Sequence, residues 1–354
     1  MVTCKLANCT FPTDGRCLEG RGNACPNLVT DPAGTPETQE KTLTLEVSED
    51  SQSSAPPYTA TESLYSGLPL EIGDAREFSA RSRAIVVALA GMKESGKTSL
   101  IVRLHQQFQS GPVAGYDFAG SRTLWQFENL NWLATLESGV SSPTMERSSR
   151  QYDNSFLHFT VRLPVPGAEP IDLLINDISG ETYPDAITTE SVCRQLKCLR
   201  RADHLGVVVD CAAIADRDFR HDHCAKAKDF VDRVLQTEQI GKQTVLHLII
   251  SKLDVLEEAK RVAGTDEAAT MRAAETDEAA TRLENDFKVR FADRVGAAYT
   301  WRLAARPLDG SMPTEETIAK LFGTWVSSTL RYPATVLSDS VSANCGRDFS
   351  CFGV

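Results

Sequence analysis

The chain has 354 residues with 42% hydrophobic content, enough for one large domain or two ordinary ones, and no run of about 18 apolar residues that would cross a membrane. Its net charge of −11 is mostly local, since residues 26–80 hold ten Asp or Glu and only two Lys or Arg. The remainder is mildly acidic and has no basic face, which argues against a nucleic-acid partner.

The N-terminal residues are rich in cysteine. Cys4, Cys9, Cys17 and Cys25 follow one another in the spacing C-x4-C-x7-C-x7-C. The N-terminus has neither the basic nor the apolar part of a secretory signal, so we expect a cytoplasmic protein whose cysteines stay reduced. Four clustered thiols then favour a structural Zn²⁺ site within residues 1–29. The absence of a C-x2-C pair leaves a metal-free segment as the alternative.

Residues 30–63 are rich in Thr, Glu, Ser and Pro and poor in large apolar side chains. Such a segment buries too little surface to offset its conformational entropy, so we predict a flexible acidic linker. Apolar content returns after this segment. We therefore assign residues 64–335 to one globular domain and residues 336–354 to a tail.

The pattern Gly-x-x-x-x-Gly-Lys-Thr at residues 91–98 has the context that a phosphate-binding loop needs. The apolar run at 84–90 predicts a buried strand before it, and residues 99–108 have the composition of a helix. In such a loop the lysine binds the β- and γ-phosphates, the threonine binds Mg²⁺, and backbone N–H groups bind phosphate oxygens. The predicted nucleotide-binding residues are Gly91, Lys93, Glu94, Ser95, Gly96, Lys97, Thr98 and Ser99, with the Lys93 side chain pointing away from the phosphates.

The rest of the chain predicts a mixed sheet. Strands expected at 156–163 and 171–176 are separated by a short turn, which makes them an antiparallel hairpin. Three further strands, each between helical stretches, are expected at 205–209, 245–250 and 299–303. This alternation predicts an α/β fold with a mostly parallel sheet, one antiparallel hairpin and helices on both faces, closed by a helix at 314–330. An 11-residue repeat at 264–282 predicts a long surface helix.

The pattern Asp177-x-x-Gly180 directly follows the second hairpin strand. In a P-loop protein such an Asp holds Mg²⁺ through water, and the Gly N–H meets the γ-phosphate, so that the following loop responds to its presence. Glu181 comes next, where a residue that orients the attacking water is expected, and it is a candidate general base. The alternative is an ordinary polar turn after a strand.

Ser251-Lys252-x-Asp254 follows the strand expected at 245–250 and is similar to the Asn-Lys-x-Asp element of GTPases. In that element the Asp carboxylate accepts two hydrogen bonds from guanine, and the Lys stem packs on the base. Because adenine lacks these two donors, Asp254 is expected to exclude ATP. Ser251 departs from the usual Asn, which leaves a helix cap as the alternative. Past the last strand, Ala305 occupies the place of a loop that contacts guanine, although its surroundings match poorly.

The order of these motifs resembles that of Ras-like, translation-factor-class GTPases. More narrowly, the chain resembles the bacterial double-GTPase family of the TRAFAC clade, over roughly residues 1–25 and 65–330. The narrower resemblance depends on residues 115–123, 177–181 and 201–204 and on the cysteines that end at Cys25. It implies a role in bacterial conflict or defence, often beside a second GTPase-like protein.

We expect a switch that binds GTP or GDP with Mg²⁺ and hydrolyses GTP slowly, with Lys97, Glu181 and Thr144 in catalytic roles. The segment before the hairpin is longer than in ordinary Ras-like proteins, so its Mg²⁺-binding threonine is ambiguous; we choose Thr144 over Thr123. Arg122 is a candidate arginine finger, and a protein partner or effector is expected to accelerate hydrolysis. The alternative function is a nucleotide-loaded scaffold without turnover. An ATP-dependent kinase is disfavoured, because Asp254 would have no role in it.

Overall fold

The computed structural model describes residues 2–4, 28–30, 66–134, 153–263, 266–306 and 314–328. The chain divides into two compact units, Met1–Thr61 and Glu62–Val354. In the first unit, strands β1 (Val2–Cys4) and β2 (Leu28–Thr30) pair antiparallel. The expected zinc ligands Cys9, Cys17 and Cys25 lie outside the described residues, as does the expected linker beyond Thr30.

A seven-stranded sheet forms the centre of the second unit. Its strands are β3 (Ala84–Gly91), β4 (Asp117–Gly120), β5 (Leu157–Arg162), β6 (Ile171–Asp177), β7 (His204–Asp210), β8 (Val245–Ser251) and β9 (Ala297–Arg302). They lie in the order β4-β5-β6-β3-β7-β8-β9. Strand β5 is antiparallel to both of its neighbours, and β6, β3, β7, β8 and β9 run parallel. The predicted α/β fold and its hairpin β5–β6 are therefore confirmed.

Helices cover both faces of this sheet. They are α1 (Ile72–Arg81), α2 (Lys97–Ser110), α3 (Leu124–Ala134), α4 (Thr182–Thr188), α5 (Glu190–Gln195), α6 (Cys198–Arg201), α7 (Cys211–Ala215), α8 (Arg220–Gln236), α9 (Leu253–Ala263), α10 (Glu267–Phe291) and α11 (Thr314–Ser328). The described part of the 11-residue repeat lies in α10 and just before it; Asp266 caps this helix, and Ala280 lies on its buried side. None of the helices in the described ranges has both the length and the apolar character to cross a membrane.

Strand β3 is buried along its whole length, as its continuous apolar sequence predicts. Because side chains alternate along a strand, β3 contributes to two cores. Ile85, Val87 and Leu89 pack in the core that contains α2 and α11, and the alternate residues pack with α8 and α10. The carboxyl end of β3, from which the phosphate loop starts, is thus fixed at the centre of the sheet.

A chain of hydrogen bonds that passes through two buried histidines links β9, β8, β7 and α11. Trp301 Nε1 donates to His247 Nδ1 (3.0 Å), so the remaining His247 proton lies on Nε2 and is donated to His204 Nδ1 (2.9 Å). His204 Nε2 in turn donates to Trp325 O (3.0 Å). Burial lowers the pKa of His204 to about 4 and that of His247 well below its usual value. Both imidazoles are therefore neutral near pH 7.

Candidate nucleotide-binding site

The phosphate loop joins β3 to α2, and its backbone requires glycine at both glycine positions of the motif. A side chain on Gly91 would meet Val208 O at 2.4 Å, because β3 passes close to β7. Gly96, at the N-cap of α2, has a φ of 89°, and Glu94 also lies in the left-handed region, with a φ of 64°. Such turns form a concavity of backbone N–H groups that binds anions.

Lys97 is almost fully buried at the first position of α2. Its Nζ donates to Gly91 O (3.1 Å) and Met92 O (3.3 Å), so the ammonium lies against the carbonyl groups of the loop. Burial lowers the pKa of Lys97, whereas the carboxylates of Asp177 and Asp153 raise it. A phosphate in the loop would provide this buried cation with a stronger acceptor than the two carbonyls.

Asp177, the last residue of β6, lies beside Thr98, as the predicted Mg²⁺ site requires. Its Oδ2 accepts the Thr98 hydroxyl proton at 2.5 Å. Its Oδ1 is buried and has no hydrogen-bond partner among the described residues. Burial raises the pKa of this carboxyl, and Lys97 opposes the change. A hard, hydrated cation would satisfy the buried oxygen, and a hydroxyl with a carboxylate is an oxygen donor set that suits Mg²⁺.

The loop at residues 177–181, which we call the sensor loop, lies directly against the phosphate loop. A Cβ on Gly180 would be 2.5 Å from the backbone N and Cα of Lys93, so only glycine allows this contact. Glu181 follows at the start of α4 with an exposed side chain, and its N–H donates to Ser179 Oγ (3.2 Å). The backbone of Gly180 is therefore beside the loop, and the carboxylate of Glu181 faces solvent.

The end of β8 is tied to the phosphate loop through Ser251. Its hydroxyl donates to Ser95 O (2.6 Å), with Val209 O as a second acceptor at 3.2 Å. Its Cβ lies 3.6 Å from the position that a Cβ on Gly96 would take. The end of β8 and the phosphate loop are thus held together by the Ser251 side chain.

Lys252 and Asp254 lie at the start of α9, next to the end of β9. Lys252 has a φ of 53°, and its Nζ pairs with Asp210 Oδ2 at 2.6 Å. Asp254 is half-buried in the first turn of α9. Leu253 N–H donates to Leu303 O (3.2 Å), which brings the buried residue Ala305 to the same end of the sheet.

Two polar residues of this region were missed by the sequence analysis. Asp153 is buried before β5 and accepts hydrogen bonds from the sensor loop and from Thr182. Asp210 ends β7, pairs with Lys252, and accepts the Ala212 N–H (2.8 Å) at the start of α7. Both are single Asp residues outside any sequence pattern. Asp210 could have been found only from its position, because it ends a strand that was expected beside the phosphate loop.

Thr123 and Arg122 lie between β4 and α3, where both have other contacts. The fully buried Thr123 hydroxyl accepts the His158 N–H (2.9 Å), and Arg122 N–H donates to His158 Nδ1 (2.9 Å). The Arg122 guanidinium is 6.0 Å from the ring centroid of Phe78 in α1. These contacts occupy the Thr123 hydroxyl, and Thr144, the other candidate Mg²⁺ ligand, lies outside the described residues.

Comparison with known proteins gives one family. A family model described as Double-GTPase 2 matches residues 85–326, more than half of the chain. No curated protein matches. Among solved structures, a bacterial selenocysteine-specific elongation factor, EF-Sec, is similar with a TM-score of 0.32 and 14% identity; the match covers 70% of this chain but spans only 29% of that one.

Proposed function

We propose that this chain, which belongs to the Double-GTPase 2 family and is a GTP-binding protein, is a nucleotide-dependent switch that hydrolyses GTP slowly to GDP. The observation that carries the proposal is the meeting of three loops at the carboxyl ends of β3, β6 and β8. Hydrogen bonds join them, from Thr98 to Asp177 and from Ser251 to Ser95. Ligands of open α/β sheets bind at this end of the strands.

In this proposal the phosphate loop binds the nucleotide, and Lys97 binds the β- and γ-phosphates. Thr98, Asp177 and Thr144 hold Mg²⁺, which neutralises phosphate charge when it is bound. Asp254 accepts hydrogen bonds from guanine, and the Lys252 stem packs on the base. The ion pair of Lys252 with Asp210 supports this role, because it fixes the lysine at the edge of the site.

Gly180 senses the γ-phosphate, and Glu181 orients or deprotonates the attacking water. The backbone contact between Gly180 and Lys93 supports the sensing role, since a phosphate in the loop would lie next to the Gly180 N–H. Glu181 is exposed, so a protein partner could contact it directly and supply a cation. The family resemblance supports a second GTPase-like protein or an effector as that partner, in a bacterial conflict or defence system.

The test is binding of fluorescent GTP, GDP and ATP analogues to the full chain with and without Mg²⁺, followed by single-turnover hydrolysis. We expect a clear preference for guanine and slow turnover. Lys97→Ala should abolish binding, because no other buried cation of the loop can replace it. Lys93→Ala, in the same loop but with an exposed side chain, is the matched control and should bind normally. Tight binding without any turnover would instead support a scaffold.

A further inference from the structure

We propose that Asp153 is a positioning residue that fixes the sensor loop against the phosphate loop and couples nucleotide state to residues 153–156, which lead into β5. The proposal rests on the proposed function, and it concerns a residue that belongs to none of the GTPase motifs. Asp153 is buried, with 7% of its surface exposed.

The Asp153 carboxylate accepts hydrogen bonds from the residues on either side of Gly180 and Glu181. One oxygen accepts the Ser179 N–H at 2.7 Å, and the other accepts the Thr182 hydroxyl at 2.5 Å. The two donors flank the residues proposed to meet the γ-phosphate and the attacking water. An ionised carboxylate forms stronger hydrogen bonds than a neutral acceptor, so this pair of bonds restricts the backbone of the loop.

Asp153 is itself held by the strand that leads into the sensor loop. Asn176, which directly precedes Asp177, donates its amide protons to Asp153 O (2.9 Å) and Ser155 O (2.7 Å). The Asn176 carbonyl in turn accepts the Cys198 thiol proton, with a sulfur–oxygen distance of 3.2 Å. The chain that enters β5 and the loop that leaves β6 are therefore joined through one buried carboxylate and one buried amide.

The negative charge of Asp153 also acts on the site. The Lys97 ammonium interacts electrostatically with the carboxylates of both Asp153 and Asp177, so one cation is shared between two carboxylates. A bound cation would relieve this excess of negative charge, and a γ-phosphate would increase it. A change in the position of the Asp153 carboxylate therefore changes the electrostatic potential at the metal and phosphate positions, as coupling requires.

The experiment compares Asp153→Asn, Thr182→Val and Thr182→Ser in the full chain. Asn keeps the shape of Asp but offers one acceptor oxygen where two are used, and Thr182→Val removes the hydroxyl without changing any charge. We expect both to lower the preference for GTP over GDP and to slow single-turnover hydrolysis by at least about tenfold, since small misplacements of reacting groups have large effects on rate. Thr182→Ser keeps the hydroxyl and should behave as wild type.

Asp172→Asn is the matched control. Asp172 is equally buried, at the other end of β6, and accepts hydrogen bonds from Ser82, Thr160 and His158. This variant should lower the thermal stability but keep the wild-type ratio of GTP to GDP affinity. If Asp153→Asn does not fold, Thr182→Val decides the question.

Failure of the positioning role and failure of the proposed function give different results. A wild-type affinity ratio and rate in both Asp153→Asn and Thr182→Val would overturn the positioning role, even where Lys97→Ala abolishes binding. An equal change in the ratio of GTP to GDP affinity in Asp172→Asn would also overturn the positioning role, because the change would then follow from a general loss of stability. Normal GTP binding by Lys97→Ala would instead contradict the proposed function itself.

Discussion

Lowering the pH from 8 to 5.5 is expected to destabilise the protein through its buried histidines. His204 lies in the hydrogen-bonded chain between β8 and α11, and its pKa is lowered to about 4 by burial. The nearby Asp203 carboxylate opposes this change, but it already accepts hydrogen bonds from Arg201 (2.6 Å) and Val86 N–H (2.9 Å). The neutral form of His204 is therefore favoured in the folded state.

The sign of the effect follows from proton linkage. In the unfolded chain a histidine has its usual pKa of about 6.5. Below that pH the unfolded state binds a proton that the folded state does not, so stability is complete above pH 6.5 and falls until the pH reaches the folded pKa. At pH 5.5 the loss is about 1.4 kcal/mol for one such histidine. His105, with a pKa also lowered to about 4 by burial, adds a similar amount, and His247 changes in the same direction.

The assay is urea unfolding at several pH values between 8 and 5.5, above the range in which most carboxylates titrate. His204→Gln is the informative variant, because a glutamine can accept from His247 and donate to Trp325 O. It should reduce the stability loss between pH 8 and 5.5 by about 1.4 kcal/mol. An unfolding free energy that is the same at both pH values, or equal pH dependence in the variant, would refute this account of the buried histidines.

Three further predictions concern the nucleotide and the metal. Asp254→Asn should shift the preference from guanine toward xanthine, because an amide can donate to the 2-oxo group; a variant that still prefers GTP over xanthosine triphosphate in competition would exclude this role. Glu181→Ala should lower single-turnover hydrolysis by about 100-fold or more, as for the loss of a general base, without weakening GTP binding; equal rates would leave Glu181 without a catalytic role. Deleting residues 1–30 should remove one Zn²⁺ per chain and preserve GTP binding, as measured by metal analysis, and wild-type protein that lacks stoichiometric zinc would contradict the Cys4 site.

The parts of the site that were predictable are those in which the backbone itself demands a residue type. Gly91 is needed because β3 passes Val208 O, and Gly180 is needed because the sensor loop touches Lys93. Gly96 provides the left-handed turn at the start of α2. These glycine positions lie at fixed spacing along the chain, so they appear in the sequence as patterns. The apolar runs next to them predict the strands.

Strand β4 was not predicted, and its sequence gives the reason. It has four residues, contains Gly120 with a φ of 144°, and pairs with β5 through a register shift between Phe118 and Gly120. A short irregular strand at the edge of a sheet has no alternation of apolar and polar residues to reveal it. The sequence analysis therefore predicted a single antiparallel pair where the structure has two.

Asp153 shows a different limit of sequence reasoning. Its partners Ser179 and Thr182 lie 26 and 29 residues further along the chain, and their contact depends on the pairing of β5 with β6. No local pattern contains this information, since a single Asp before a strand is also common in ordinary turns. Only the register of the hairpin brings its carboxylate to the sensor loop.

Ser251 is the residue of the predicted guanine motif that departs from the usual Asn. A serine in place of the usual asparagine weakened the sequence evidence for a guanine site, because the residue type alone did not show which contact the position makes. In the structure the position has to offer a hydrogen-bond donor to Ser95 O, and a hydroxyl does so at 2.6 Å with its Cβ close to Gly96. The position thus requires a hydrogen-bond donor that reaches Ser95 O. Ser251→Ala removes this donor and should loosen the phosphate loop. Faster release of GDP from that variant, with unchanged selectivity for guanine, would separate this structural tie from the role proposed for Asp254.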